Sequence, residues 1–312
     1  MRIGLRHIRN FVAVADELHF RRAAEKLGLA QPAVSRSIQY LEGELQVTLL
    51  RRSNRSVELT DAGKTFLDGC RNILNAVERT IDETRMANNG LLGSVRVGYT
   101  DNAITGDLPK LLRQFQMQQP RVAIQIQHDV TASQLSKLAE RKLDVGFVTG
   151  PIGQSGFEQC PIQSERFVCV VYENHRLAGR RSIRLHELAN EDFVHGLPQF
   201  WEHFYSYLLP MCRKAGFVPK IIQEAFNTAG ILGLVASGMG ITILTENVRN
   251  TIGQGLVIIP IRDISEQLQT IAIWRPDAMG GSTRLFVDHL RRLEHRRSSS
   301  KKARTPAKQE VV

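Results

Sequence analysis

Cysteine is scarce in this chain: four in 312 residues, Cys70, Cys160, Cys169 and Cys212. No two form a C-x-x-C pair, which excludes a zinc ribbon or a disulfide framework and makes a reducing cytoplasm the default. There is no apolar run of 18 residues, so no spanning helix is expected. The start, MRIGLRHIRN, lacks the apolar core of a signal peptide, so a cytoplasmic protein without a membrane partner is expected. Enzyme signatures are missing as well. G-x-S-x-G does not occur. The glycines at 230, 233, 238 and 240 do not follow a strand with G-x-G-x-x-G spacing. His128, His195 and His203 are not at metal-ligand spacing. We therefore expect no catalytic residue, metal or other cofactor.

The informative stretch is residues 19–60, HFRRAAEKLGLAQPAVSRSIQYLEGELQVTLLRRSNRSVELT. Ala23, Ala24 and Leu27 make the apolar stripe of a short helix, and Gly28 can take the left-handed conformation that ends it. Pro32 fits the first turn of a second helix, on which Val34, Ile38 and Leu41 face inward. That leaves Gln31, Ala33, Ser35, Arg36 and Gln39 outward, the side-chain types that meet base edges and phosphates. Arg51, Arg52 and Arg55 then lead into the alternating Val57 and Leu59, as in a basic hairpin. The layout is a winged helix-turn-helix, and the partner it predicts is double-stranded DNA. Arg21 is a further candidate phosphate contact.

The same residues carry a specific resemblance. The pattern A-A-x-x-L-x-x-x-Q-P-A-V-S-R-x-I-x-x-L-E, then L-x-x-x-L-x-R, then L-T-x-A-G resembles the LysR-type transcriptional regulators. It is supplied by Ala23, Ala24, Leu27, Gln31–Arg36, Ile38, Leu41 and Glu42. Leu45, Leu49, Arg51, Leu59, Thr60, Ala62 and Gly63 complete it. Two positions depart: His19 and Ala30 stand where the family often has a capping serine.

Charge follows this division. Residues 1–64 hold 11 Lys/Arg and 7 Asp/Glu, residues 65–290 hold 22 of each, and residues 291–312 hold 8 and 2. The net charge of +10 is thus confined to the two ends, as expected of a DNA reader joined to a neutral sensor.

From Thr60 a single long helix is expected, stopped at Asn88-Asn89-Gly90. Phe66, Cys70, Ile73, Val77, Thr80 and Thr84, with Leu67, Leu74 and Ile81 beside them, form a seam with a period near 3.5. The seam can pack on the chain's own sensor or on a second copy; the resemblance implies self-association as a dimer or tetramer. From Ser94 onward strands and helices alternate, which implies an α/β region with mostly parallel sheets. The resemblance implies two lobes of the periplasmic-binding-protein-like kind. The expected domains are 1–59, the winged helix-turn-helix; 60–89, the linker helix; and 90–297, the effector-binding domain. Within the last, lobe I covers about 90–164 and 268–297, and lobe II about 165–267. The basic tail, 298–312, is expected to be disordered.

In open α/β sheets ligands bind beyond the carboxyl ends of strands. That rule selects Thr100, Asp101 and Asn102, then Thr131, Thr149, Pro198, Phe200, Asn227 and Thr228 as effector residues. Thr100–Asn102 and Asn227–Thr228 each precede a helix, and two helix N-termini facing one cleft suit a carboxylate. Resemblance to the family's aromatic-responsive members adds weight to Thr131, Pro198 and Phe200. Two departures stand against that analogy: Thr149 replaces an arginine found in some of those members, and Asp101 repels an anion unless it serves as a cap. The expected function is transcriptional activation or repression governed by an aromatic or carboxylate effector, with contact to RNA polymerase. A redox switch centred on Cys212 is the alternative. An enzyme or solute-binding module with an accessory DNA domain is disfavoured.

Overall fold

The structure, a computed structural model, describes residues 3–52, 57–88, 92–153 and 155–303. The chain divides into two compact units. One holds the residues up to Gly90 with Glu140–Lys142; the other holds Leu91–Ala139 and everything from Leu143.

The first unit begins with helices α1 (Leu5–Glu17), α2 (Phe20–Leu27) and α3 (Gln31–Leu45). Gly28 ends α2 at φ 65°. His19 replaces the expected serine in kind, because its Nδ1 accepts from Arg22 N at 3.4 Å. Ala30 replaces nothing, and α3 starts without a side-chain cap. Phe11, Val14, Ala23, Val34, Ile38 and Leu41 close the core.

A short hairpin, β1 (Leu50–Arg52) and β2 (Val57–Leu59), follows. Glu42 anchors it to α3, accepting from Leu49 N at 2.9 Å and Leu50 N at 3.1 Å. The long helix α4 (Asp61–Asn88) comes next. Thr60 caps it, accepting from Gly63 N at 2.9 Å. A Cβ on Gly63 would lie 2.1 Å from Leu49 O, so the L-T-x-A-G pattern is a packing requirement where α4 meets the hairpin. Leu67 and Cys70 are buried in this unit's core, whereas Ile73 and Ile81 are each 45% exposed.

The second unit opens with β3 (Ser94–Tyr99), α5 (Asp101–Thr105), α6 (Leu108–Gln118), β4 (Ala123–His128), α7 (Thr131–Ala139) and β5 (Val145–Gly150). It continues with β6 (Glu158–Tyr172), β7 (Asp192–Gly196), α8 (Pro198–Lys214), β8 (Lys220–Ala225), α9 (Thr228–Ala236) and β9 (Thr242–Thr245). It ends with β10 (Leu256–Pro260), β11 (Gln267–Trp274) and α10 (Gly281–Ala303). Strand order in the main sheet is β10-β6-β11-β5-β3-β4, with β9 also on β6.

The expectation of mostly parallel sheets is corrected. β3 pairs in parallel with β4 and β5, and β7 with β8. However, β11 runs antiparallel to β5 and β6, and β9 and β10 run antiparallel to β6. The cause is β6, a 15-residue strand that serves two lobes. Its first half, through Arg166, pairs with β11 beside the β3–β5 core; Phe167–Tyr172 pair with β9 and β10 in the other lobe.

Each lobe has its own core. Val97, Phe115, Phe147, Trp274 and Phe286 fill one, and Phe193, Leu208, Ile231 and Ile243 fill the other. Disorder was expected from 298, but α10 runs on to Ala303. Ser298–Ser300 are polar yet tolerated in a helix that began on the core residues Phe286, Val287 and Leu290. Residues 304–312 lie outside the described ones.

Candidate functional site

On the first unit, α3 divides cleanly. Val34, Ile38 and Leu41 are buried, and Gln31, Pro32, Arg36 and Gln39 are exposed, with Ala33 and Ser35 half-buried between them. No partner restrains the Arg36 guanidinium among the described residues. Arg51 is exposed on β1, opposite Glu58. Arg52 stands on β1 as well. Arg55 lies outside the described residues. Arg21 is exposed and holds Glu25 at 3.1 Å. The outward face is therefore polar and basic and borders an uncapped helix start, a shape that can meet a phosphate backbone and base edges.

In the second unit a cleft of about 780 Å3, its open mouth included, lies between the lobes. Of the nine residues that the strand-end rule selected, Thr100, Asp101, Asn102, Thr131, Thr149, Phe200 and Thr228 line it. Pro198 and Asn227 do not. Pro198 is the exposed first residue of α8, a position that needs no N–H. Asn227 caps α9, its Oδ1 accepting from Gly230 N at 2.9 Å.

Two of the expected contacts have a different role. Asp101 reaches across to the other lobe: its Oδ2 accepts from Thr228 N at 2.7 Å, and its Oδ1 lies 2.8 Å from His128 Nε2. The start of α9, expected to hold a ligand carboxylate, already holds one of the chain's own. Asn102 joins the lobes at the base of the cleft. Its Nδ2 donates to Thr270 Oγ1 at 2.9 Å, its carbonyl oxygen accepts from Asn247 Nδ2 at 2.7 Å, and its Oδ1 accepts from the Thr245 hydroxyl.

Thr131 and Thr149 are buried and linked, Thr149 N donating to Thr131 Oγ1 at 3.2 Å. Thr100 Oγ1 is buried without a hydrogen-bond partner among the described residues.

Several lining residues were not anticipated: Trp201, Phe204, Phe226, Thr245 and Asn247. Thr245 ends β9, so the strand-end rule applied once more would have found it. Phe226 had no sequence signal; it meets Phe200 with ring centroids 4.7 Å apart. Trp201 lies over Gly196, where a Cβ would come within 2.1 Å of the indole.

His195 is a core residue. Burial pushes its pKa down to about 4, a hydrogen bond to the Ile243 carbonyl opposing that shift. The cysteines are all buried, and among the described residues none forms a disulfide. Burial lifts the Cys70 and Cys212 thiols to about 12 and raises Cys169 as well. Such thiols lack thiolate character, which weighs against the redox alternative. Among the described residues, no helix is long and apolar enough to cross a membrane.

The chain matches two family models: "Bacterial regulatory helix-turn-helix protein, lysR family" over residues 5–64 and "LysR substrate binding domain" over residues 88–294. It is 29% identical to the HTH-type transcriptional regulator AlsR of Bacillus subtilis, over 96% of this chain and 99% of that one. It is 34% identical to the HTH-type transcriptional regulator ShiR of Corynebacterium glutamicum, over 91% and 95% of the two chains. Among solved structures, full-length CbnR complexed with its target DNA superposes with a TM-score of 0.65 at 26% identity, over 93% of this chain and 99% of that one.

Proposed function

The chain belongs to the LysR family, and from that premise we propose how its parts divide the work of a DNA-binding transcriptional regulator with an effector-binding domain. The α3 face carrying Gln31, Ala33, Ser35, Arg36 and Gln39 reads the major groove of its operator. Pro32 shapes the start of that helix, and Arg51, Arg52 and Arg55 lie along the phosphates or minor groove. Arg21 is a peripheral phosphate contact. The observation that carries this reading is the separation on α3 of a buried apolar face from an exposed one bearing an arginine, Arg36, that no described residue restrains.

The cleft takes a small aromatic effector against Phe200, Phe226 and Trp201, with Thr100, Thr131 and Thr149 as its polar contacts. Asp101, Asn102 and Thr228 control lobe closure rather than touch the ligand first. The exposed stripe of α4 packs against a second copy, in dimers that pair into tetramers. Effector-dependent closure shifts how those dimers sit on DNA and how they meet RNA polymerase. The protein works in the cytoplasm.

The test uses a fragment of a promoter the protein controls. Arg36→Ala weakens specific binding by about 5- to 150-fold, equivalent to about 1–3 kcal/mol, with thermal stability unchanged. Unaltered specific affinity at physiological salt removes α3 from the interface. A screen of aromatic and carboxylic metabolites by thermal shift tests the cleft. A hit acts there only if Thr131→Val weakens it while leaving DNA affinity intact, and a screen without hits rejects the effector reading.

A further inference from the structure

We propose that the cleft admits aromatic ligands without an anionic group, neutral or carrying a protonated nitrogen, and that Asp101 is the residue that rejects carboxylates. This deepens the effector reading above and rests on it. Among the described residues no Lys or Arg lines the cleft, whereas Asp101, Asp129 and Glu202 do. A ligand carboxylate would therefore need the positive ends of helices, and α5, α7 and α9 each already have a carboxylate of the chain's own at their start, Asp101 for α5 and α9 and Asp129 for α7.

At α9, Thr228 N donates to Asp101 at 2.7 Å and Gly230 N to Asn227 at 2.9 Å. At α7, Asp129 accepts from Val130 N at 3.0 Å and Ser133 Oγ at 2.8 Å, and Lys137 pairs with it from outside the lining. At α8, Pro198 has no N–H, and the N–H groups of Phe200 and Trp201 bond to Leu197 O at 2.9 and 3.0 Å.

What the cleft offers a ligand is aromatic faces, hydroxyls, the imidazoles of His128 (held by Asp101) and His203, and one carboxylate, Glu202, without an ion pair among the described residues. Ring faces and a carboxylate favour a cation or a polar neutral ring, and an anion entering beside Asp101 meets like charge at low dielectric.

Benzoate, benzamide and benzylamine have one ring and nearly one shape but differ in charge, so calorimetric titration of the full-length protein with each at pH 7.5 isolates the charge preference. Benzamide or benzylamine is expected to bind at least tenfold tighter than benzoate. Asp101→Gly, which frees Thr228 N, is expected to gain at least tenfold in benzoate affinity. Asp101→Asn, which keeps an acceptor for Thr228 N and removes only the charge, gains less.

Benzoate binding the unmodified protein as tightly as benzamide, and lost in Thr131→Val, overturns the proposal while leaving the effector cleft standing. The same holds if the metabolite screen yields only carboxylates. Asp101→Gly and Asp101→Asn that fold, shown by unchanged melting, yet gain no benzoate affinity also overturn the role of Asp101. Failure of all three probes to bind any of the proteins overturns the ligand class.

Discussion

His195 shows how a residue that looks chemical can be structural. Its Nδ1 accepts from Gly196 N at 2.9 Å, and its Nε2 lies 3.2 Å from Ile243 O, so the neutral imidazole satisfies two backbone groups. Its folded pKa, about 4, lies below the ordinary 6.5. The unfolded chain therefore binds the extra proton between those values. Stability is full above pH 6.5 and falls as the pH drops toward 4, by up to about 3 kcal/mol for a shift of this size. Urea midpoints followed by tryptophan fluorescence should decline through that window in the native sequence. His195→Gln, though less stable at pH 7, should show a shallower decline; an equally steep one would assign the acid sensitivity elsewhere. Residue identities were legible for the cleft because threonines and asparagines after strands are visible as such. The use of Asp101 was not, because Thr228 lies 127 positions away and nothing local pairs them.

At the scale of elements, long periodic segments were readable and short or dual-purpose ones were not. α4 was legible from its seam and from Thr60; α5, five residues, is shorter than two helical turns and carries no period. The first half of β6, EQCPIQSE, is polar and contains Pro161, which suggests a loop until β11 supplies its partner. The seam of α4 also splits: Leu67 and Cys70 are buried in their own unit, while Ile73, Val77 and Ile81 form a stripe at fourfold spacing with its two isoleucines exposed. A second copy covering that stripe would bury its apolar surface at roughly 25 cal/mol per Å2. The paired change Ile73→Asp and Ile81→Asp should therefore lower the sedimentation mass and weaken operator binding by more than tenfold, since half-sites are then met one at a time. A double variant that sediments like the native protein would mean that α4 is not the self-association surface.

Across the effector-binding unit, Asn102 takes part in more of the polar ties between the lobes than any other described residue of the first lobe. It links α5 of one lobe to Thr245 and Asn247 of the other and to Thr270 on β11. Nearby, burial raises the pKa of the Glu165 carboxyl on the crossing strand, and the charges of Glu246 and Asp107 raise it further. Asn102→Ala removes the side-chain bonds to Thr270 and Thr245, while the backbone carbonyl still accepts from Asn247, a cost of about 1–3 kcal/mol for each group that water does not reach. Because that cost falls on the arrangement in which the lobes share Asn102, the population shifts away from it, and a ligand that needs both lobes binds correspondingly more weakly. Amide hydrogen exchange should then accelerate at Asp101–Thr105 and Thr245–Asn247 while the core strands β3 and β5 keep their protection. Effector affinity should fall at least fivefold in the same variant. If exchange at both segments stays at the native rate, Asn102 is a passive lining residue and closure is governed elsewhere, with the Asp101–Thr228 contact the next to be tested.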